Sequence, residues 1–158
     1  RKFDFSFSSF HSITRKFILA TRFKLGRLWS WNHSDIDYSY EKFYLGGSSN
    51  MRGWEILKYK TEDGSSGTPV GGIYRFLTNL EFRIQLNESL GVNIFYDCGI
   101  LSDNYQNFIK SQIGWNTGIG LTISTPLGPV RLDYAIPFLN DSIKIENGKI
   151  NFGVQYLF

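Results

Sequence analysis

Apolar and polar residues alternate one by one along most of this chain. In IYRFLTNLEFRIQL (73–86), Tyr74, Phe76, Leu80, Phe82, Ile84 and Leu86 share one face, while Arg75, Asn79, Glu81, Arg83 and Gln85 share the other. A period of two is the signature of an extended strand with one greasy side. LGVNIFYDCG sets Leu90, Val92, Ile94 and Tyr96 against Asn93, Phe95 and Asp97, and WNTGIGLTIS sets Trp115, Ile119, Leu121 and Ile123 against Asn116, Gly118, Gly120 and Ser124. In PVRLDYAIP, Val130, Leu132, Tyr134 and Ile136 oppose Arg131, Asp133 and Ala135; in INFGVQYLF, Ile150, Phe152, Val154, Tyr156 and Phe158 oppose Asn151, Gly153 and Gln155. Nearer the start, Phe3, Phe5 and Phe7 face away from Lys2, Asp4 and Ser6, and Leu19, Phe23 and Leu25 face away from Ala20, Arg22 and Lys24. The pattern predicts seven strands and no substantial helix.

The connections alternate in length. SITRK (12–16), LNES (86–89) and TPLGP (125–129) are tight, whereas the stretches near 30–72, 101–112 and 138–149 are long and polar. Short turns on one rim and long loops on the other describe an antiparallel transmembrane β-barrel, apolar outward and polar toward a wet lumen. The mean hydropathy of −0.21 fits, because half of each strand averages out the other half. A soluble β-sandwich binding module also alternates and stays open as the alternative. Barrels of this type have at least about eight strands, and an unpaired edge in hydrocarbon leaves backbone groups unsatisfied. Seven strands, and a chain that opens on Arg1, therefore point to part of a larger barrel.

Composition excludes several function classes. Seventeen Lys and Arg against fourteen Asp and Glu give a net charge of +3, too weak and scattered to argue for nucleic acid. A lone cysteine, Cys98, and two histidines at no ligand spacing predict no metal site and no cofactor. No apolar run approaches the length of about 18 residues of a membrane helix. No Ser/His/Asp arrangement, phosphate loop or pair of catalytic carboxylates is visible, so the chain does not read as an enzyme.

One stretch stands apart: FYLGGSSNMRGWEIL (43–57) places Arg52 between Gly46-Gly47 and Gly53-Trp54, with no acid just before it in sequence to receive the cation. Taken in order, FYLGGSSNMRGW, GGIYRFLTNLEF, FYDCG, TPLGPVRLDYAIP and NFGVQYLF resemble the C-terminal barrel half of the BamA/TamA family of bacterial outer-membrane assembly proteins. This is also called the bacterial surface antigen family, and mitochondrial and chloroplast proteins share its superfamily. The likeness runs from roughly residue 16 to the end. It implies that residues 1–158 are the C-terminal part of one transmembrane barrel domain, supplying seven strands of a barrel of about sixteen, with a long extracellular loop over about 30–72.

The resemblance also implies roles. The loop folds back into the barrel and its Arg52-Gly53-Trp54 tip packs on the inner wall. Arg52 pairs with Asp97 of the strand motif Phe95-x-Asp97-x-Gly99 and with Glu81 of the preceding strand. Both acids already fall on the lumen face by alternation. A planar guanidinium fork suits two carboxylates. NFGVQYLF resembles the C-terminal β-signal of outer-membrane proteins, carried by Asn151, Gly153, Tyr156 and Phe158. The implied function is insertion of outer-membrane proteins in the bacterial outer membrane, through a seam between the first and last strands. The implied partners are unfolded β-barrel clients, the lipid bilayer, and periplasmic or lipoprotein accessory subunits. A two-partner secretion transporter would share the loop motif, and a passive porin would need the barrel without the Arg52 tip.

Overall fold

The computed structural model describes residues 1–29, 39–61, 67–110, 113–126, 128–139 and 148–154. Tyr156 and Phe158 lie outside the described residues. The alternation becomes one antiparallel sheet in chain order: β1 (Lys2–Ser12), β2 (Phe17–Leu28), β3 (Tyr74–Gln85), β4 (Leu90–Ser102), β5 (Gly114–Thr125), β6 (Gly128–Leu139) and β7 (Lys149–Gly153). A strand of 12 residues, such as β2, rises about 40 Å, enough to cross a hydrocarbon layer of about 30 Å at a tilt.

Local chemistry sets the tight turns. Thr14 Oγ1 accepts from the amides of Lys16 and Phe17 at 3.3 and 3.2 Å, and Asn87 Oδ1 accepts from Ser89 and Leu90 at 2.9 and 2.8 Å. These side chains supply acceptors that the reversing backbone lacks. On the other rim, the helical structure among the described residues is a 3-10 turn at Ser39–Glu41 and α1 (Tyr105–Lys110), both in loops.

Burial separates the two faces in an unusual sense. The polar face is the covered one: Arg22, Asn79, Glu81, Asn93, Asp97, Asn116, Arg131 and Asp133 are all buried. The apolar face is bare, with Leu80, Ile94, Ile119, Leu121, Leu132 and Phe152 exposed. What covers the polar face is the long connection between β2 and β3. This connection reads as polar in sequence, yet its described residues bring Phe43, Leu45, Met51 and Trp54 into an apolar cluster with Leu28, Leu77 and Leu101. Leu77 and Leu101 are the inward apolar residues on which the loop rests.

Register aligns the inward polar residues into two belts across the sheet. One runs Arg22, Asn79, Asp97, Asn116, and the other runs Arg83, Asn93, Gly120, Asp133, Asn151. A slip of one residue in any pair would turn those charges outward.

Candidate functional site

The loop reaches the belts through a tight approach. Gly46 and Gly47 have φ of +115° and +99°, backbone positions that a Cβ disfavours. Asn50 Oδ1 closes the turn, accepting from the amides of Gly46 and Met51 at 2.7 Å each. Gly53 then lies flush on the wall: a Cβ there would stand 2.7 Å from Asn116 Cβ and 2.8 Å from Pro137 Cβ. Trp54 joins the apolar cluster shared by the loop and the strand residues Leu28, Leu77 and Leu101, edge-on to Tyr59 with centroids 5.2 Å apart.

Arg52 is completely buried. Its Nε and Nη2 donate side-on to Asp97 Oδ2 and Oδ1 at 2.9 and 2.7 Å, and its Nη1 donates to Glu81 Oε2 at 3.1 Å. Nη1 also meets Asp133 Oδ2 at 3.4 Å, and the Arg52 amide donates to Asp97 Oδ2 at 3.3 Å. The guanidinium carbon sits 3.4 Å from the centroid of the Phe95 ring. Phe95 in turn lies over Gly118, its register partner on β5. Each member of the Phe95-Asp97-Gly99 motif thus has a physical task. Phe95 is a π platform for the cation, Asp97 is its bidentate acceptor, and Gly99 leaves room for Met51 and Leu45.

Side chains around the tip complete the arrangement. Asn79 Nδ2 donates to Asp97 Oδ1 at 2.7 Å and to the Asn50 carbonyl at 2.6 Å. Arg22 bonds Asn79 Oδ1 and the Ser49 carbonyl, and Arg131 bonds Asp133 and the Ser48 carbonyl. Arg83 pairs with Glu81 Oε1 at 2.8 Å. Four guanidinium groups and three carboxylates therefore interlock, each acid touching at least two donors. Asn151 Nδ2 donates to the Arg52 carbonyl at 2.7 Å, whereas Gly153 sits opposite Arg131 on β7 without touching the tip in any described contact.

Glu81 and Asp97 were readable from alternation; Asp133 was readable as an inward acid but not as a partner of Arg52. Its reach depends on sheet curvature, which spacing does not encode. Arg22 and Arg131 hold loop carbonyls, and a carbonyl has no sequence signal.

Sheet and tip together define a class: a lipid-facing β-barrel segment whose long loop is locked into its interior by a buried cation. The Omp85 superfamily domain matches residues 1–158, and the chain belongs to the Omp85 superfamily. It is similar to the outer membrane protein assembly factor BamA of Nitratidesulfovibrio vulgaris, 26% identical over 134 residues that cover 83% of this chain and 17% of that protein. A SAM50-like protein of Schizosaccharomyces pombe is 24% identical over 151 residues, 89% of this chain and 31% of that one. Outer envelope protein 39, chloroplastic, of Arabidopsis thaliana is 28% identical over 109 residues, 64% and 27% of the two chains. The fold matches that of BamA from Haemophilus ducreyi, solved lacking POTRA domains 1-3, with a TM-score of 0.69 at 17% identity, covering 96% of this chain and 33% of that one. The chain thus spans between 17% and 31% of the length of these three curated relatives. Family, relatives and lipid-facing strands agree on an outer membrane as its location.

Proposed function

We propose that this chain is the C-terminal barrel portion of a BamA/TamA-like factor that assembles β-barrel proteins into the bacterial outer membrane. Incoming strands would add to the edge of β7 when that strand parts from the barrel's first strand, which is β-augmentation at a seam. No bond is made or broken, so the reading assigns no catalytic residue. Clients are unfolded outer-membrane barrels, the lipid bilayer is the second partner, and periplasmic or lipoprotein subunits assist.

The observation that carries the reading is the locked tip: Arg52 held by Glu81, Asp97 and Asp133 on three different strands. Arg52 and its three acids are buried beneath the loop, so the cluster presents no charge to a permeating solute and is no selectivity filter for a diffusion pore. A barrel that must open at one seam without collapsing needs such a brace on the wall beside it. Among these relatives, the one named an outer membrane protein assembly factor favours assembly over secretion.

The test is folding of a urea-denatured β-barrel client by liposomes that contain the full-length protein. Arg52→Glu places a fourth carboxylate among the three and leaves buried charge unpaired, at about 3–5 kcal/mol. Client folding should drop at least about tenfold, with the loop becoming protease-sensitive. Wild-type client folding with a protected loop defeats the reading. Export of one dedicated polypeptide without general client folding reassigns the protein to two-partner secretion.

A further inference from the structure

The tip is gripped at its main chain as well as at its side chain. While the guanidinium is held by β3, β4 and β6, the Arg52 carbonyl accepts 2.7 Å from Asn151 Nδ2 on β7. Asn151 stands directly opposite Asp133 in the β6/β7 register, and both residues end on Arg52. A second tie is looser: Lys149 reaches Glu55 at 3.5 Å, a carboxylate that Lys58 also holds at 3.0 Å. Between loop and strand lies an open groove of about 510 Å³ lined by Trp54, Glu55, Ile56, Lys149 and Asn151. Among the described residues, then, β7 meets the loop through discrete polar ties beside a groove rather than a packed apolar interface. That makes the union breakable.

We propose that Asn151 is a positioning residue that latches the seam strand β7 to the loop tip, so that release of the strand and loosening of the tip are one coupled event. This deepens the assembly reading and rests on it. Chemistry fixes the orientation, since a carbonyl only accepts and the amide nitrogen must face it. An aspartate of the same shape would turn a lone pair toward that carbonyl. It would still satisfy a β-signal that asks only for a polar residue at this position, so the latch and the insertion signal separate at one substitution.

Coupling of this kind is reciprocal. The experiment is amide hydrogen exchange on the full-length protein in outer-membrane vesicles, followed in the loop (46–58), in β7 (149–153) and in β1 (2–12), which carries none of the Arg52 partners described above, as a control. Asn151→Asp should speed exchange in the loop about fivefold, the loss of roughly one net hydrogen bond. Arg52→Lys, which lies outside the β-signal and loses the side-on pair with Asp97, should speed exchange in β7 by a similar factor. Asn151→Gln, one methylene longer but still a donor, should restore much of the loop protection. Exchange in β1 should not change. If Asn151→Asp fails to insert, the Arg52→Lys arm decides alone. Loop changes without β7 changes, or a uniform rise in all strands, overturn the latch. Vesicles with wild-type protein that fold no client, yet show the coupling, refute the assembly reading and leave the latch standing; vesicles that fold clients without coupling refute only the latch.

Discussion

A guanidinium presents five N–H donors in one plane, and at Arg52 that plane is filled by carboxylates along its edge and by the Phe95 ring on its face. Such a fit requires the backbone to come close, which is the task of Gly53. Gly53→Ala would force its Cβ against Asn116 and Pro137, contacts of 2.7 and 2.8 Å with parts of the wall that cannot swing away. We expect docking of the tip to weaken by about 1–3 kcal/mol, visible as faster loop proteolysis with unchanged strand content. A second tether titrates. The Tyr59 hydroxyl donates to the Gly99 carbonyl at 2.9 Å and accepts from the Gly114 amide at 2.8 Å, joining the loop to β4 and β5. Burial pushes its pKa up to about 12, against the opposing pull of the Gly114 N–H. Below pH about 10 both folded and unfolded chains keep the phenol proton; between about 10 and 12 the unfolded chain loses it first. Loop docking should therefore weaken as pH rises through that window, and Tyr59→Phe should remove this component of the pH dependence. Glu81 and Asp97 were legible as inward acids from alternation, and their pairing with Arg52 from the family resemblance; the third acid, Asp133, was legible only as inward. Tyr59 was not, because a lone tyrosine in a loop sequence says nothing about which strand ends will enclose its hydroxyl.

At the scale of elements, alternation was enough to place all seven strands, since each is polar on one side and greasy on the other. Where alternation fails, a covering element explains it. Leu77 and Leu101 point inward because the loop needs an apolar floor, and that floor is invisible until Phe43, Leu45 and Met51 are known to return. The outer face carries cross-strand aromatic pairs instead: Phe17 with Phe82, Phe23 with Phe76, and Trp115 stacked on Phe138 at 4.2 Å. Face identity makes a sharp prediction within one strand. Ile119 lies near the middle of β5 on the outer face, 60% exposed, with Ile94 and Tyr134 as register partners. In lipid, Ile119→Lys should cost about 2–4 kcal/mol, measured by denaturant titration of the full-length barrel in vesicles. Thr122→Lys, on the inner face of the same strand, should cost far less. Equal penalties at both positions would contradict the assignment of faces.

For the molecule as a whole, the deciding quantity is which face is dry. A soluble β-sandwich buries its apolar face beneath a second sheet and leaves the charged one wet. Here the loop buries the charged face, and the apolar face has no cover among the described residues: Phe3, Phe5, Phe7, Ile94, Ile119, Leu132 and Phe152 are each at least 45% exposed. Monomeric soluble proteins do not tolerate a contiguous apolar surface of that extent. The low mean hydropathy of −0.21 conceals this because it averages over faces that the fold segregates. Among the described residues the sheet also ends in two edges, β1 and β7, whose outward backbone groups have no partner strand in the seven-stranded order. In water, a bare apolar face and two open edges both favour association. The 158-residue chain is therefore expected to sediment as aggregate in detergent-free buffer and to stay dispersed with β-sheet circular dichroism in detergent micelles or lipid. Analytical ultracentrifugation with and without detergent makes the comparison. A monodisperse, β-rich monomer in plain buffer would require another element to cover the outer face, and the lipid-facing assignment would fall with it.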